Sequence, residues 1–292
     1  MSKALENSTV TTNTLVNPDL KLRIEKIETL PTLPEVYCQL VSELSTTDVS
    51  IKRIANIILQ DAALSAKVLQ VVNSAFFAVK TEVQSVQQAV NFLGTDTIKG
   101  IVLTVEVFSG TEYTEIPGFS LAELYQRGMA VGPKARFIAY CLGLQKNQMD
   151  SALTAGLLHD VGKLVLLTGF AEEFKEACEY SKKENVPLQE AQVKIIGADD
   201  AAIGGFLLTS WGLSQSIIEA VSLHYKPSIC ANPELDTTAA VHLAYASEHN
   251  QQFQQKDSTQ TAFDLTYTDS LGISGQISQF EGLTAEAVAL NN

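Results

Sequence analysis

Apolar residues recur along most of this chain at the three-to-four residue spacing of helices that bury one face. Leu33, Val36, Tyr37, Leu40, Val41 and Leu44 fall at i, i+3, i+4, i+7, i+8 and i+11. Thr32 as N-cap and Glu35 three residues later make a capping box, so a helix is expected to open there. Ile51, Ile54, Ala55, Ile58 and Leu59 mark a second helix within Asp48 to Gln60. Asp61 caps a third, with Leu64, Val68, Val71 and Val72 on one face. Ser85 caps a fourth through Val86, Ala89, Val90 and Leu93, which Gly94 ends. A fifth runs from Thr95 to Phe108.

Gly110 to Gly118 reads as a loop. Ser120 and Glu123 form a second capping box and open a long helix to about Leu142, with a kink expected at Pro133. Asp150 is placed as the cap of a strongly apolar helix extending to Leu167. Further helices are expected at Phe170 to Lys183, Leu188 to Ile196, Asp199 to Trp211, Ser214 to His224 and Thr237 to His249. Fainter helical patterns follow at Ser270 to Phe280 and Thr284 to Leu290. No alternating strand of useful length and no internal repeat occurs, so the fold class is all-α.

Composition narrows the class. In 292 residues, 46% hydrophobic and 18% charged, there is ample material for a large core. The formal net charge of -13 opposes nucleic acid and anionic membranes, and no Lys/Arg run offsets it. Cys38, Cys141, Cys178 and Cys230 form no CxxC pair, which suits reduced thiols and a cytoplasmic location. The Ser/Thr/Asn-rich start, Met1 to Asn17, has no apolar core and does not resemble a signal peptide. Residues 1 to 22 are expected to be a disordered tail.

The one unusual chemical feature is His159-Asp160, set into the apolar run Ala155 to Leu167. Two ionisable neighbours in such a helix are costly unless paired, solvated or metal-bound. Imidazole and carboxylate suit a divalent metal, but two ligands are too few without others from neighbouring helices.

The surroundings of this pair carry a resemblance. Gly156-Leu-Leu-His159-Asp160-Val-Gly162-Lys163-Leu resembles the signature of the HD superfamily of metal-dependent phosphohydrolases. Leu30-Pro31-Thr-Leu33-Pro34-Glu35-Val36, Asp61 to Leu69, Asn73-Ser74-Ala75-Phe76-Phe77, Ala89 to Gly94, Gly205 to Leu213 and Ala220 to Tyr225 are similar to the HDOD family, the HD-related output domain. The resemblance implies two helical lobes, at about 23–110 and 118–228 within an HDOD domain of 23–228. Residues 229–292 would be a C-terminal helical extension.

The same resemblance implies a ligand set that this chain has partly lost. Arg127 stands where an early His is expected, Asp200 where a later His is common, and Tyr245 where a late Asp is expected. His159, Asp160 and His224 remain. Arg stays protonated and cannot ligate a metal. A degenerate centre of Arg127, His159, Asp160, Asp200 and His224 is therefore expected, with Arg127 paired to Asp160 and in part to Asp200. His159 and Asp160 are the only metal ligands to consider, and no other cofactor is expected. Asn73 and Ser74 are candidates for a lobe interface or a ligand contact, beside the plainer reading of a local turn. The implied function is a non-catalytic module of bacterial signalling, acting on a protein partner or a small ligand. The alternative is a metal-dependent phosphohydrolase of a nucleotide or cyclic nucleotide. Oligomeric state is left open.

Overall fold

The computed structural model describes residues 17–27, 32–46, 49–74, 77, 79, 81–109, 112–230, 233–253 and 262–283, and of residues 251–253 the backbone alone. Every regular element among them is helical. The tail to residue 16, Asp48, Phe76 and the stretch Thr284 to Leu290 lie outside the described residues.

The chain opens with α1 (Pro18–Glu25), capped by Asn17, whose Oδ1 accepts from Leu20 N at 2.8 Å. This corrects the expectation of a tail to residue 22, since Leu20 and Ile24 are buried. Then come α2 (Glu35–Leu44), α3 (Ile51–Leu59), α4 (Ala62–Val72), α5 (Val86–Leu93) and α6 (Thr95–Val107). Asp61 and Ser85 cap as their side chains predict. The cap expected at Thr32 does not form: α2 begins at Glu35 behind Pro34, with no side-chain cap bond. Pro34 holds the extended backbone that an N-cap needs, at φ -60° and ψ 140°.

The second half holds α7 (Leu121–Cys141), α8 (Lys146–Leu158), α9 (Val161–Gly169), α10 (Ala171–Glu184), α11 (Leu188–Ile195), α12 (Asp200–Ser210), α13 (Gln215–Leu223) and α14 (Thr237–Phe253). Two short helices follow, α15 (Leu265–Ser270) and α16 (Ile277–Glu281). The Ser120–Glu123 capping box opens α7, which continues through Pro133. The apolar central helix starts earlier than expected, at Lys146, and is broken in two at His159-Asp160. Asp160 sits at φ -90° and ψ 8°, in the bridge region that many active-site residues occupy. Lys146–Gly169 has the length and hydropathy of a membrane span, yet 89% of its apolar window is buried inside the protein.

Two apolar cores result, and three helices, α2, α6 and α8, serve both. Leu40, Ile54, Ile58, Val68, Val90, Ile98 and Val102 build the first, closed by Leu153 and Leu157 of α8. The second gathers α7 to α14 and takes in Leu103 and Val107 of α6 together with Leu20 and Ile24 of α1. The lobes therefore share α2, through Tyr37 and Leu40, as well as α6 and α8, instead of separating near residue 110. The C-terminal stretch joins the second core through Val241, Phe263, Ile273 and Phe280. A cleft of about 580 Å³ lies between α2, α6, α8 and the α12–α13 turn, lined among others by Tyr37, Lys99, Asp150 and Trp211.

Small residues set the helix spacing around the centre. A Cβ on Gly128 would strike the Leu157 carbonyl, and one on Gly162 would strike the Asp200 carbonyl. The second contact draws α9 against α12 and so brings Asp160 and Lys163 beside Asp200. Gly162→Ala is expected to destabilise the protein by about 1–3 kcal/mol through overpacking. Urea denaturation against Gly275→Ala checks this, because Gly275 has nothing near its missing Cβ.

Candidate functional site

The broken helix presents His159 and Asp160 at the meeting point of α7, α9, α12 and α13. Four charges meet there. Arg127 Nε of α7 lies 2.6 Å from Asp160 Oδ2. Lys163, one turn beyond Asp160 on α9, places Nζ 2.5 Å from Asp160 Oδ1 and 2.7 Å from Asp200 Oδ2. Tyr225 OH accepts from Lys163 Nζ at 2.7 Å and donates to Asp200 Oδ2 at 2.9 Å. The ammonium is thus held by three oxygens from three segments.

Burial decides the ranking of the two cations. The side chain of Lys163 is 8% exposed and that of Arg127 28%, against 2% or less for both carboxylates. Lys163 is the inner cation; Arg127 closes the outer edge, its guanidinium 5.8 Å from the Phe119 ring centre. The expected Arg127–Asp160 contact is present. The expected share of Asp200 in it is not: Asp200 Oδ2 is taken by Lys163 and Tyr225. Sequence reasoning missed Lys163 and Tyr225. The available signal was Lys163 itself, the sole charge in the apolar run Val161 to Leu167 and spaced i, i+3 from Asp160.

The histidines line the other side. His159 Nδ1 donates to the Gly156 carbonyl at 2.7 Å, and His224 Nδ1 to the Val221 carbonyl at 2.7 Å. Each ring is thereby fixed with Nε2 as the unprotonated nitrogen of the neutral form. The rings stand 5.3 Å apart edge to face, with Tyr245 4.8 Å from His224 and 5.8 Å from His159. Tyr245, where a late Asp was looked for, fills this side with an aromatic ring. His224 is braced from behind: its carbonyl accepts from His242 Nδ1 at 2.8 Å, and His242 Nε2 accepts from the Asp264 N–H at 3.0 Å.

The electrostatics follow from burial and pairing. Burial opposes the Asp160 carboxylate, but Lys163, His159 and Arg127 outweigh it and hold its pKa well below the usual range. Burial likewise opposes the Lys163 ammonium, and Asp160 and Asp200 overcome it, raising its pKa. Burial pushes His159 down and His224 well down, so both rings stay neutral near pH 7. Asp199, the α12 cap beside Asp200, is pushed up to about 6 by burial and by that neighbour. Two carboxylates thus face two permanent cations and neutral imidazoles, and the cluster has no net charge.

A divalent metal does not fit this donor set. Asp160 and Asp200 already neutralise Lys163 and Arg127, and an added dication beside them would be repelled without compensation. No group of three or more His, Cys, Asp or Glu among the described residues is arranged to hold a metal.

Asn73 and Ser74 lie elsewhere. Asn73 Nδ2 donates to the Val83 carbonyl at 2.8 Å and Oδ1 accepts from Val83 N at 2.7 Å, closing a loop inside the first lobe. Ser74 Oγ is buried without a hydrogen-bond partner among the described residues. Neither residue lines the cleft between the lobes.

A family model described as the HDOD domain matches residues 30–227. An uncharacterized protein of Treponema pallidum (strain Nichols) is 25% identical over 206 residues, 69% of this chain but 38% of that protein. The chain therefore spans well under half the length of that relative. An HDOD domain protein with unknown function from Geobacter sulfurreducens is 21% identical, with a TM-score of 0.69 over 93% of this chain and 91% of that one. A protein of Shewanella amazonensis SB2B provisionally named a phosphohydrolase is 23% identical, with a TM-score of 0.66 over 92% of each chain. A protein of Marinobacter aquaeolei VT8 provisionally named for signal transduction is 18% identical, with a TM-score of 0.68 over 93% of this chain and 63% of that one. At these identities the structural likeness establishes the fold.

Two measurements test the site. Lys163→Met leaves two buried carboxylates facing one cation and is expected to cost about 3–5 kcal/mol. Arg127→Met, at the exposed edge, should cost clearly less in the same denaturation series; equal losses would deny Lys163 its inner place. The second concerns pH. His224 is protonated below its ordinary 6.5 in the unfolded chain but resists protonation when folded. The unfolded state then binds more protons, so His224 lowers stability as pH falls below 6.5, by up to about 1.4 kcal/mol per pH unit. The stability of wild type relative to His224→Gln should fall between pH 7 and pH 5, and a difference independent of pH would contradict the assignment.

Proposed function

The chain belongs to the HDOD family, and from that premise we propose that it is a non-catalytic regulatory module of bacterial signal transduction whose HD centre is a structural brace. The observation that carries this reading is the charge balance at the centre: Arg127 and Lys163 occupy the carboxylates that a hydrolytic metal would need. Hydrolysis by a metal centre requires an ion that polarises phosphate and supplies hydroxide. Here the same carboxylates bind α7, α9 and α12 together through tethered cations.

Output would then come from the surface. The net charge of -13 suits a signalling partner with a basic face and does not suit nucleic acid or anionic membrane. A small ligand in the cleft shared by α2, α6, α8 and the α12–α13 turn would change how the lobes pack. A cytoplasmic location is part of this proposal. The phosphohydrolase and signal-transduction names of the structural relatives belong to those proteins.

Phosphatase and phosphodiesterase assays, run with p-nitrophenyl phosphate and cyclic nucleotides in the presence of Mn²⁺, Mg²⁺, Ni²⁺ or Fe²⁺, are expected to give no turnover above buffer. Metal-dependent turnover that disappears in both His159→Ala and Asp160→Ala would sink the proposal.

A further inference from the structure

The cleft between the lobes, about 580 Å³, has the size of a small-molecule site. Its two sides differ in chemistry. α2 and the α12–α13 turn contribute Tyr37, Val41, Trp211 and Leu213. α6 and α8 contribute Asp96, Lys99 and Asp150.

Charge limits what can enter. Lys99 is the one cation among the lining residues, and its Nζ lies 3.1 Å from Asp96 Oδ1. Asp150 is then left over. Its side chain is only 9% exposed, yet one oxygen alone is used: Oδ1 accepts from Thr97 Oγ1 at 3.2 Å and from Arg136 Nε at 3.4 Å. The second bond is longer than an ordinary N–H···O contact, and Arg136 reaches it from a separate hollow lined by Phe92 and Tyr140. Asp150 Oδ2 accepts no hydrogen bond among the described residues. A carboxylate buried to this degree calls for a charged donor on its open oxygen.

The aromatic residues favour the same sign. Burial, with Cys38 and Asp96 close by, pushes the Tyr37 phenol up to about 12, so the ring stays neutral near pH 7. The faces of tyrosine and tryptophan attract organic cations.

We propose that the cleft binds an organic monocation: a primary amine with an aromatic or apolar body, its ammonium paired with Asp150 Oδ2 and its body against Tyr37 and Trp211. The same lining disfavours phosphorylated nucleotides, because two carboxylates face a single lysine. The ammonium competes with Arg136 for Asp150, which ties occupancy of the cleft to a residue of α7. The inference deepens the reading of the cleft as the ligand site of a non-catalytic module and rests on it.

Trp211 is the sole tryptophan of the chain, so its fluorescence reports on the cleft. Full-length protein is titrated at pH 7 with phenethylamine, phenethyl alcohol, phenylacetate and adenosine monophosphate. Phenethylamine is expected to give a saturable change, with an affinity about ten-fold above that of the alcohol, which has the same shape and no charge. Phenylacetate and adenosine monophosphate should give no saturable change. Asp150→Asn should weaken amine binding by about the same ten-fold factor and leave the alcohol unaffected. Arg136→Gln removes the competing cation and should tighten amine binding several-fold. Circular dichroism checks that each variant is folded. The inference is overturned if the amine gives no saturable change or binds no better than the alcohol. It is equally overturned if either anion binds better than the amine, or if folded Asp150→Asn keeps the amine preference. Should Asp150→Asn not fold, an amine affinity unchanged by Arg136→Gln overturns it instead. Metal-dependent hydrolytic turnover is a separate result, which counts against the proposed function. Loss of the amine preference leaves the non-catalytic reading standing and removes this inference alone.

Discussion

Two buried carboxylates cannot share one small volume unless cations stand between them, and that constraint organises this protein. Asp160 and Asp200 come from different helices and would repel in a low dielectric. Lys163 joins them and Arg127 completes the balance. The bonds from Arg127 to Asp160 and from Lys163 to Asp200 and Tyr225 cross from one helical segment to another, so the cluster specifies one packing of α7, α9, α12 and α13. Buried ionic clusters are poor sources of net stability compared with well-packed apolar groups. The buried Leu and Val side chains of the second core carry the stability, and the charges specify its arrangement.

Close packing makes the cluster possible. Gly162 lets α9 approach the backbone of α12 closely enough for a lysine on one helix to reach an aspartate on the other. The break at His159-Asp160 has a matching role. On its near side α8 supplies both apolar cores, and on its far side α9 carries Lys163 to the centre.

Much of the fold was legible in the sequence because amphipathic spacing and caps are local. Asp61, Ser85 and Ser120 begin helices as their side chains predict. Thr32 misled because Pro34 starts α2 by backbone geometry without a side-chain bond. The break inside the apolar run was hidden, since periodicity shows which residues are buried and not where a helix is interrupted. At the site, Arg127, His159, Asp160, Asp200 and His224 could be named from order along the chain, and they do meet. Lys163 was overlooked because a ligand search looks for groups that hold a cation, whereas this residue supplies one. Asn73 and Ser74 were candidates for the cleft beside the plainer reading of a local turn, and Asn73 closes such a loop onto Val83.

The bond from Asp264 N–H to His242, and from His242 to the His224 carbonyl, bears on where this protein can be divided. The match to the family model ends at residue 227, on the near side of both partners. A chain trimmed to that limit would lose α14, and with it Val241, Leu243, Ala244 and Tyr245, while uncovering the face of α13 beneath them. The limit of the family match and the limit of the packed core therefore do not coincide. Whatever acts on residues 262–283 acts on a segment joined, through one histidine, to the backbone of the HD centre.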